Sequence, residues 1–235
     1  APFACVPIPA PATERSSGNW MPEVIAQYDI ADETVVYARF GQSVKSGGFA
    51  TSSVPLAARA YDDEKATTYE VGLKSRFLDN RAQIAISAFR TEFKDLQVNT
   101  FIPDPSGNPG FIASINNAAK VTSQGFEIEG SALLADWLTL SGSLGYLDTT
   151  YNDFAAANCF PGATPNSTVV PGKCDLAGQN TPFSPEFSGS LGADIDFELS
   201  DSVRFVAGAN MSFSSSHFTE GTLDPAAVQP SYQRY

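Results

Sequence analysis

Long hydrophobic runs are missing from this sequence. No stretch of about 18 consecutive apolar residues occurs in it, which excludes a transmembrane helix. Histidine is almost absent, with His217 alone, so most acid-base and metal constellations have no raw material. Charge is scarce: charged residues make up 17% of the 235, fewer than the about 25% of an ordinary soluble chain. Basic residues are the scarcer sign, with 14 Lys and Arg against 26 Asp and Glu and a net charge of −12. A nucleic-acid partner is therefore not expected, because neutralising phosphates takes a basic surface. The three cysteines, Cys5, Cys159 and Cys174, form no C-x-x-C pair, which argues against a zinc site. The first twenty residues lack a basic segment followed by an apolar core, so they do not read as a signal peptide.

What is present is alternation. In FSGSLGADIDFEL, Phe187, Gly189, Leu191, Ala193, Ile195, Phe197 and Leu199 share one side. Ser188, Ser190, Gly192, Asp194, Asp196 and Glu198 share the other. A period of two is that of a β-strand with one apolar and one polar face. VRFVAGANMSF, LTLSGSLGY and TYEVGLKSRF repeat the pattern. It predicts strands at about 21–30, 34–43, 65–77, 81–93, 119–133, 138–151, 183–198 and 203–213.

These strands pair around tight connections that each carry an aspartate, Asp32, Asp79, Asp136 and Asp201. Aspartate suits turns because its side chain bonds nearby backbone. The connections between pairs, about 44–64, 94–118, 152–182 and 214–230, are long and rich in Gly, Pro, Ser and Asn. Strands of about ten residues with short turns at one end and long loops at the other fit an outer-membrane β-barrel. Aromatic residues near strand ends suggest two interfacial girdles. Phe77, Trp137, Phe197 and Phe205 lie by the short turns, and Tyr151, Phe183, Phe187 and Phe213 by the long loops.

Several segments also resemble the barrel of the TonB-dependent outer-membrane receptors. They are VVYARFGQSVKSGGF at 35–49, YEVGLKS at 69–75, AFRTEFKDLQV at 88–98, NNAAKVTSQGFEIEG at 116–130, LTLSGSLGYLD at 138–148 and NTPFSPEFSGS at 180–190. They follow one another in the family's order. The resemblance implies an antiparallel transmembrane barrel of about 22 strands, with long external loops, short periplasmic turns and a plug domain inside. It also implies residence in a Gram-negative outer membrane, contact with its lipid, and energy from the TonB complex through an N-terminal part. The implied work is uptake of a scarce nutrient, a ferric siderophore being the commonest cargo. Neither plug nor TonB box is found, so residues 1–235 are expected to be part of the barrel domain, from its later half.

Parity assigns the faces. Glu70, Lys74, Arg76, Glu127, Glu129, Asp194, Asp196 and Arg204 are expected to face the lumen. Leu144, Leu191, Ile195, Phe205 and Ala207 are expected to face lipid, since charge on the lipid side costs roughly 2–4 kcal/mol at mid-depth. Cys159 and Cys174 fall in one external connection and are expected to form a disulfide, as the outside is oxidising; Cys5 is left free or paired elsewhere. Other motifs read as structure. Lys45-Ser46-Gly47-Gly48 lacks P-loop spacing and reads as a flexible strand-to-loop transition, Asp104-Pro105-Ser106-Gly107-Asn108 is a turn, and Asn166-Ser167-Thr168 is a chance sequon. His217 is read as a solvated loop residue. No catalytic residue, metal ligand or cofactor is expected, and no enzyme activity. The competing readings are a passive porin or small structural barrel, and a soluble β-sandwich binding module.

Overall fold

The computed structural model describes residues 14–50, 54, 59–103 and 111–235, and among these there is no helix. Nine strands form one antiparallel sheet in the order β1-β2-β5-β6-β7-β8-β9-β10-β13. They are β1 (Glu23–Ala31), β2 (Thr34–Lys45), β5 (Glu64–Phe77), β6 (Ala82–Pro103), β7 (Phe111–Ala135), β8 (Leu138–Asp153), β9 (Phe187–Ser200), β10 (Val203–Ser214) and β13 (Tyr232–Arg234). The sheet is a meander, so the four Asp-bearing turns lie at one end and the longer connections at the other. Two small hairpins decorate that second end: β3 (Gly48–Phe49) with β4 (Ala60–Tyr61), and β11 (His217–Phe218) with β12 (Val228–Gln229).

Three of the short turns are two-residue links, closed by the pairs Ala31 with Thr34, Ala135 with Leu138, and Ser200 with Val203. The fourth spans 78–81 and places Leu78, Asp79 and Asn80 at φ values of 56°, 54° and 64°. Asp and Asn tolerate this left-handed region because their side chains bond locally.

The structure corrects three features of the sequence reading. The segment 94–118 is no open loop, because β6 runs on to Pro103 and β7 starts at Phe111, making a hairpin that stands well above the sheet. It kinks at its base, where Asp95 takes φ 57° and the register shifts between Phe93 and Leu96. Above that bulge the strands extend beyond the body of the sheet, where the apolar-polar alternation of the lower strands is no longer kept. Second, β9 begins at Phe187, not 183. Pro182 and Pro185 have no N–H to give a ladder, and Phe183 takes φ 58°. Third, Tyr151 is no girdle residue. It is 4% exposed and packs against Phe154.

Candidate functional site

The pairing register brings the polar positions of successive strands into rows. One row runs Val35, Lys74, Ala85, Glu129, Ser143, Ser190 and Ser212 across β2 to β10, and the next runs Tyr37, Gly72, Ser87, Glu127, Gly145 and Ser188. Residues from β1 through β9, among them Asp29, Lys74, Arg76, Glu129, Ser143 and Ser190, line a single trough of about 680 Å³. One cavity can touch so many strands only if the sheet curls toward this face. The polar face is thus the concave one.

Its charges are partly neutralised. Tyr37 donates its hydroxyl to Glu70 at 2.6 Å, and Lys74 stands 5.7 Å from the centre of the Tyr37 ring. The ring lies over Gly72, where a Cβ would come within 2.4 Å of it. Only glycine lets Tyr37 lie flat on the wall there. Arg39 donates to Glu23 at 2.6 Å and approaches Glu70 at 3.7 Å. Arg204 forks onto Asp196 on the neighbouring strand, and Arg76 approaches Glu33 at 4.0 Å. Glu127, Glu129 and Asp194 sit on the same face, with no ion pair among the described residues. The concave wall therefore presents spare carboxylates to whatever fills it.

The opposite face is apolar. Val36, Leu73, Ile86, Ile128 and Leu144 are cross-strand counterparts there, Leu191 pairs with Met211 one step along, and Leu191 is 58% exposed. Ile195, Ala207 and Phe205 share it by parity and pairing. Aromatic residues band it at two heights. Phe197 and Phe205 pack as a tilted pair near the short turns, their ring centres 5.3 Å apart. Toward the long connections stand Phe40 with Tyr69, and Phe126, Tyr146 and Phe187 in a chain of contacts at 5.5 and 5.1 Å. An exposed, continuous apolar face of this extent on a soluble chain would be an aggregation surface; banded by aromatics it matches the lipid-facing wall of a barrel.

The outer end of the concave face changes character, which the sequence did not reveal. Val121, Tyr151, Phe154, Ala157, Leu176 and Leu223 form a buried apolar cluster, with Phe93, Leu96, Val98 and Phe218 packed against it. This small core draws the connections 154–186 and 215–231 onto the inner side of the wall. Within the first of them, Cys159 and Cys174 are joined in a disulfide, and Ala157 pairs by backbone with Cys174. Lys173 donates to Asn158 at 2.7 Å across the same loop. The contacts that build the core come from four distant segments, so no local pattern announces them. The parity of Phe93 and Val121, apolar on an otherwise polar face, was the one available signal.

A second knot ties the first long connection to the tall hairpin. Asn117 donates to the carbonyls of Asp62 and Asp95, and Gln97 to those of Lys45, Ser46 and Asp62. Asp63 accepts the Gly47 backbone N–H at 2.7 Å, then Asn19 at 2.8 Å and Arg15 at 3.3 Å. Those donors hold the Asp63 carboxyl below the usual carboxylate range, the Gly47 N–H contributing most. Here lies the use of the Lys45-Ser46-Gly47-Gly48 motif: a Cβ on Gly47 would meet the Tyr61 carbonyl oxygen at 2.3 Å. His217 sits half-buried in the β11–β12 hairpin, with Nδ1 3.3 Å from the Ser215 carbonyl. Among the described residues no group of three or more His, Cys, Asp or Glu is placed to hold a metal. Cys5 and the segment 104–108 lie outside the described residues.

A curled antiparallel wall with a wet inner face, a banded apolar outer face and loops folded over one rim is the class of the large outer-membrane barrels. The chain belongs to the family described as TonB dependent receptor-like, beta-barrel, whose model matches residues 5–235. A metal-pseudopaline receptor of Pseudomonas aeruginosa is 32% identical over 127 residues, which is 54% of this chain and 16% of that receptor. The chain thus spans a small part of the curated relative it matches. In fold it is similar to the ferric yersiniabactin uptake receptor of Yersinia pestis, with a TM-score of 0.64 and 18% identity, over 90% of this chain and 28% of that one. The siderophore receptor of Acinetobacter baumannii gives a TM-score of 0.64 and 21% identity, over the same shares of 90% and 28%. The family is one of receptors and transporters, not of enzymes.

Proposed function

We propose that this chain is barrel wall of an outer-membrane TonB-dependent importer, and that its cargo is a metal chelate, a ferric siderophore first among candidates. The observation that carries the reading is the two-faced wall itself. Its lumen side bears the unpaired Glu127, Glu129 and Asp194, and its outer rim is roofed by loops held on an apolar core. A lumen lined by spare carboxylates suits a filled barrel whose contents bring compensating donors. Loops fastened over the rim suit capture of a scarce solute, because loops on a rigid scaffold are where recognition is placed. The 32% identity to a receptor named for a metal chelate points to the cargo class. The partners on this reading are outer-membrane lipid around the wall and the TonB complex beneath it.

The test is uptake by cells that depend on the full-length receptor. Metal-limited growth and accumulation of labelled chelate should both require it, and both should stop when the TonB protein is deleted. Uptake that persists without TonB would mark a passive pore and end this reading.

A further inference from the structure

Two connections meet on the concave side of the outer rim, and they are held in different ways. The one that carries the disulfide is tied down along its length. Tyr151 donates its N–H to the Gln179 carbonyl at 2.9 Å and accepts the Gly178 N–H at 2.8 Å. Leu176 donates to the Phe154 carbonyl at 3.1 Å, and Ala157 and Cys174 exchange both backbone bonds beside the Cys159–Cys174 bridge. The β11–β12 hairpin has no such ties. Among the described residues, the hydrogen bonds of residues 219–230 all stay within that segment, as in Thr219 to the Ala227 carbonyl and Asp224 with Ala226 and Ala227. The hairpin is attached to its neighbour by one bond, from the Phe183 N–H to the Phe218 carbonyl at 2.7 Å, and by two apolar side chains, Phe218 and Leu223.

Leu223 makes the longer reach. In the sheet β9 separates β10 from β8. Yet Leu223, on the connection that follows β10, is buried among Val121 of β7, Tyr151 of β8, and Phe154, Ala157 and Leu176 of the disulfide-bearing connection. The hairpin therefore crosses the outer end of β9 on the concave side. It is held there under strain. Apart from the turn at 78–80 and the kink at Asp95, the non-glycine residues at positive φ among those described are Phe183 at 58° and Leu223 at 55°. These are the two places where the hairpin grips its neighbour. Neither has the short polar side chain that eases this region for Asn and Asp. Such a backbone persists only where its surroundings over-determine it, and its cost is of the same order as the gain from burying one leucine. The seated and released hairpins are thus close in free energy, whereas the disulfide-bearing loop has many ties to lose.

We propose that the β11–β12 hairpin, residues 217–229, is a strap that swings off the concave rim about Ser216 and Pro230, with Leu223 as its latch and the disulfide-bearing loop as its fixed seat. Seated, the strap caps Val121 and Tyr151 and narrows the passage along the outer end of β9. Released, it relaxes both strained residues and clears that passage. Two discrete packings of one element make a gate. The gate acts on any solute entering from the long-loop side and does not depend on which cargo the receptor carries.

The test uses the purified full-length receptor carrying Val121→Cys, a thiol buried beneath the latch, and follows its modification by a maleimide through peptide mass mapping. Adding Leu223→Asn, which tolerates positive φ but gives up the apolar contact, should speed modification about tenfold or more. Leu223→Met, which keeps an apolar latch, should stay within about twofold of the parent. Hydrogen exchange read on the same Leu223→Asn protein should rise about tenfold in peptides covering 217–229 and stay within about twofold in those covering 154–178 and β9. Unchanged modification in Leu223→Asn would overturn the latch. Exchange that rises equally in 154–178 and 217–229 would overturn the division into strap and seat. Heat-modifiable migration confirms that each variant folds, and Leu223→Gly, which removes the latch and the strain together, replaces Leu223→Asn if that variant does not.

Discussion

At the scale of single residues, Asp63 shows how a side chain fixes a loop. It gathers the Gly47 N–H, the Asn19 amide and the Arg15 guanidinium at the corner where the first long connection leaves the sheet. All three interactions favour the ionised carboxylate, so the pKa falls. A depressed pKa means that the stabilisation is fully present above the unfolded value and is lost as pH falls through the lower folded one. The Gly47 amide resonance in the full-length receptor should therefore titrate with a midpoint below that of an ordinary aspartate. A midpoint at or above the ordinary value would show that the three contacts do not form in solution. Asp63→Ala should loosen the β3–β4 hairpin above that midpoint and change little below it, without disturbing β5, whose ladder with β2 does not depend on it. The serine-glycine-glycine sequence was legible as a strand-to-loop transition. The reason for its first glycine was not, because the Tyr61 carbonyl that crowds it comes from across the hairpin.

At the scale of elements, what could be read in the sequence was what a bilayer imposes. Where a strand crosses lipid, side chains must alternate, and β2, β5, β8, β9 and β10 stand out by that alternation. Outside the bilayer the constraint lapses, so the upper halves of β6 and β7 carry no periodic signature and their Gly- and Pro-containing tip dominates the composition. The positions on the concave polar face, Glu70, Lys74, Glu127, Glu129 and Asp194, follow from parity because a one-residue slip would reverse every face. Their partners do not, since Tyr37 with Glu70 and Arg204 with Asp196 depend on register between strands. The loop between β8 and β9 is different again: it is held by its disulfide, the Ala157–Cys174 pairing and the core around Phe154 and Leu176. The two cysteines are 15 residues apart, and closing a loop of that size contributes about 3 kcal/mol in the chain-entropy model. Cys159→Ser/Cys174→Ser should speed tryptic cleavage after Lys173 in the intact receptor by tenfold or more. The barrel's heat-modifiable migration should stay unchanged, because the membrane ladders are untouched. Unchanged cleavage would mean that the apolar core alone orders the loop.

At the scale of the whole molecule, two properties of the sheet argue together, its faces and its edges. The faces predict that a spin label at Leu191 meets lipid-soluble relaxers while one at Asp194 meets water-soluble ones; equal exposure at both would undo the assignment of inside and outside. The edges predict how the chain behaves alone. The nine-stranded sheet ends at β1 and β13, and every residue of β1 is exposed. In lipid an unpaired strand edge leaves backbone groups with no partner, so a wall of this kind is stable only when closed. It could close on itself only by tightening its curvature and changing its shear, both of which are set by strand number. The curvature it has superposes on 28% of a much longer receptor chain, which is that of a wide barrel. Tightening would force the bulky inner residues, Tyr37, Lys74, Glu127 and Glu129, into a lumen that small barrels fill with few side chains. The 235-residue chain, folded alone into vesicles, should therefore give protease-sensitive oligomers that lose their compact migration on mild heating. The same chain continuous with the rest of its receptor should give a heat-modifiable monomer. A boiling-sensitive but otherwise compact monomeric band from the 235 residues alone would show a closed small barrel, and would overturn both the wide-barrel geometry and the importer built on it.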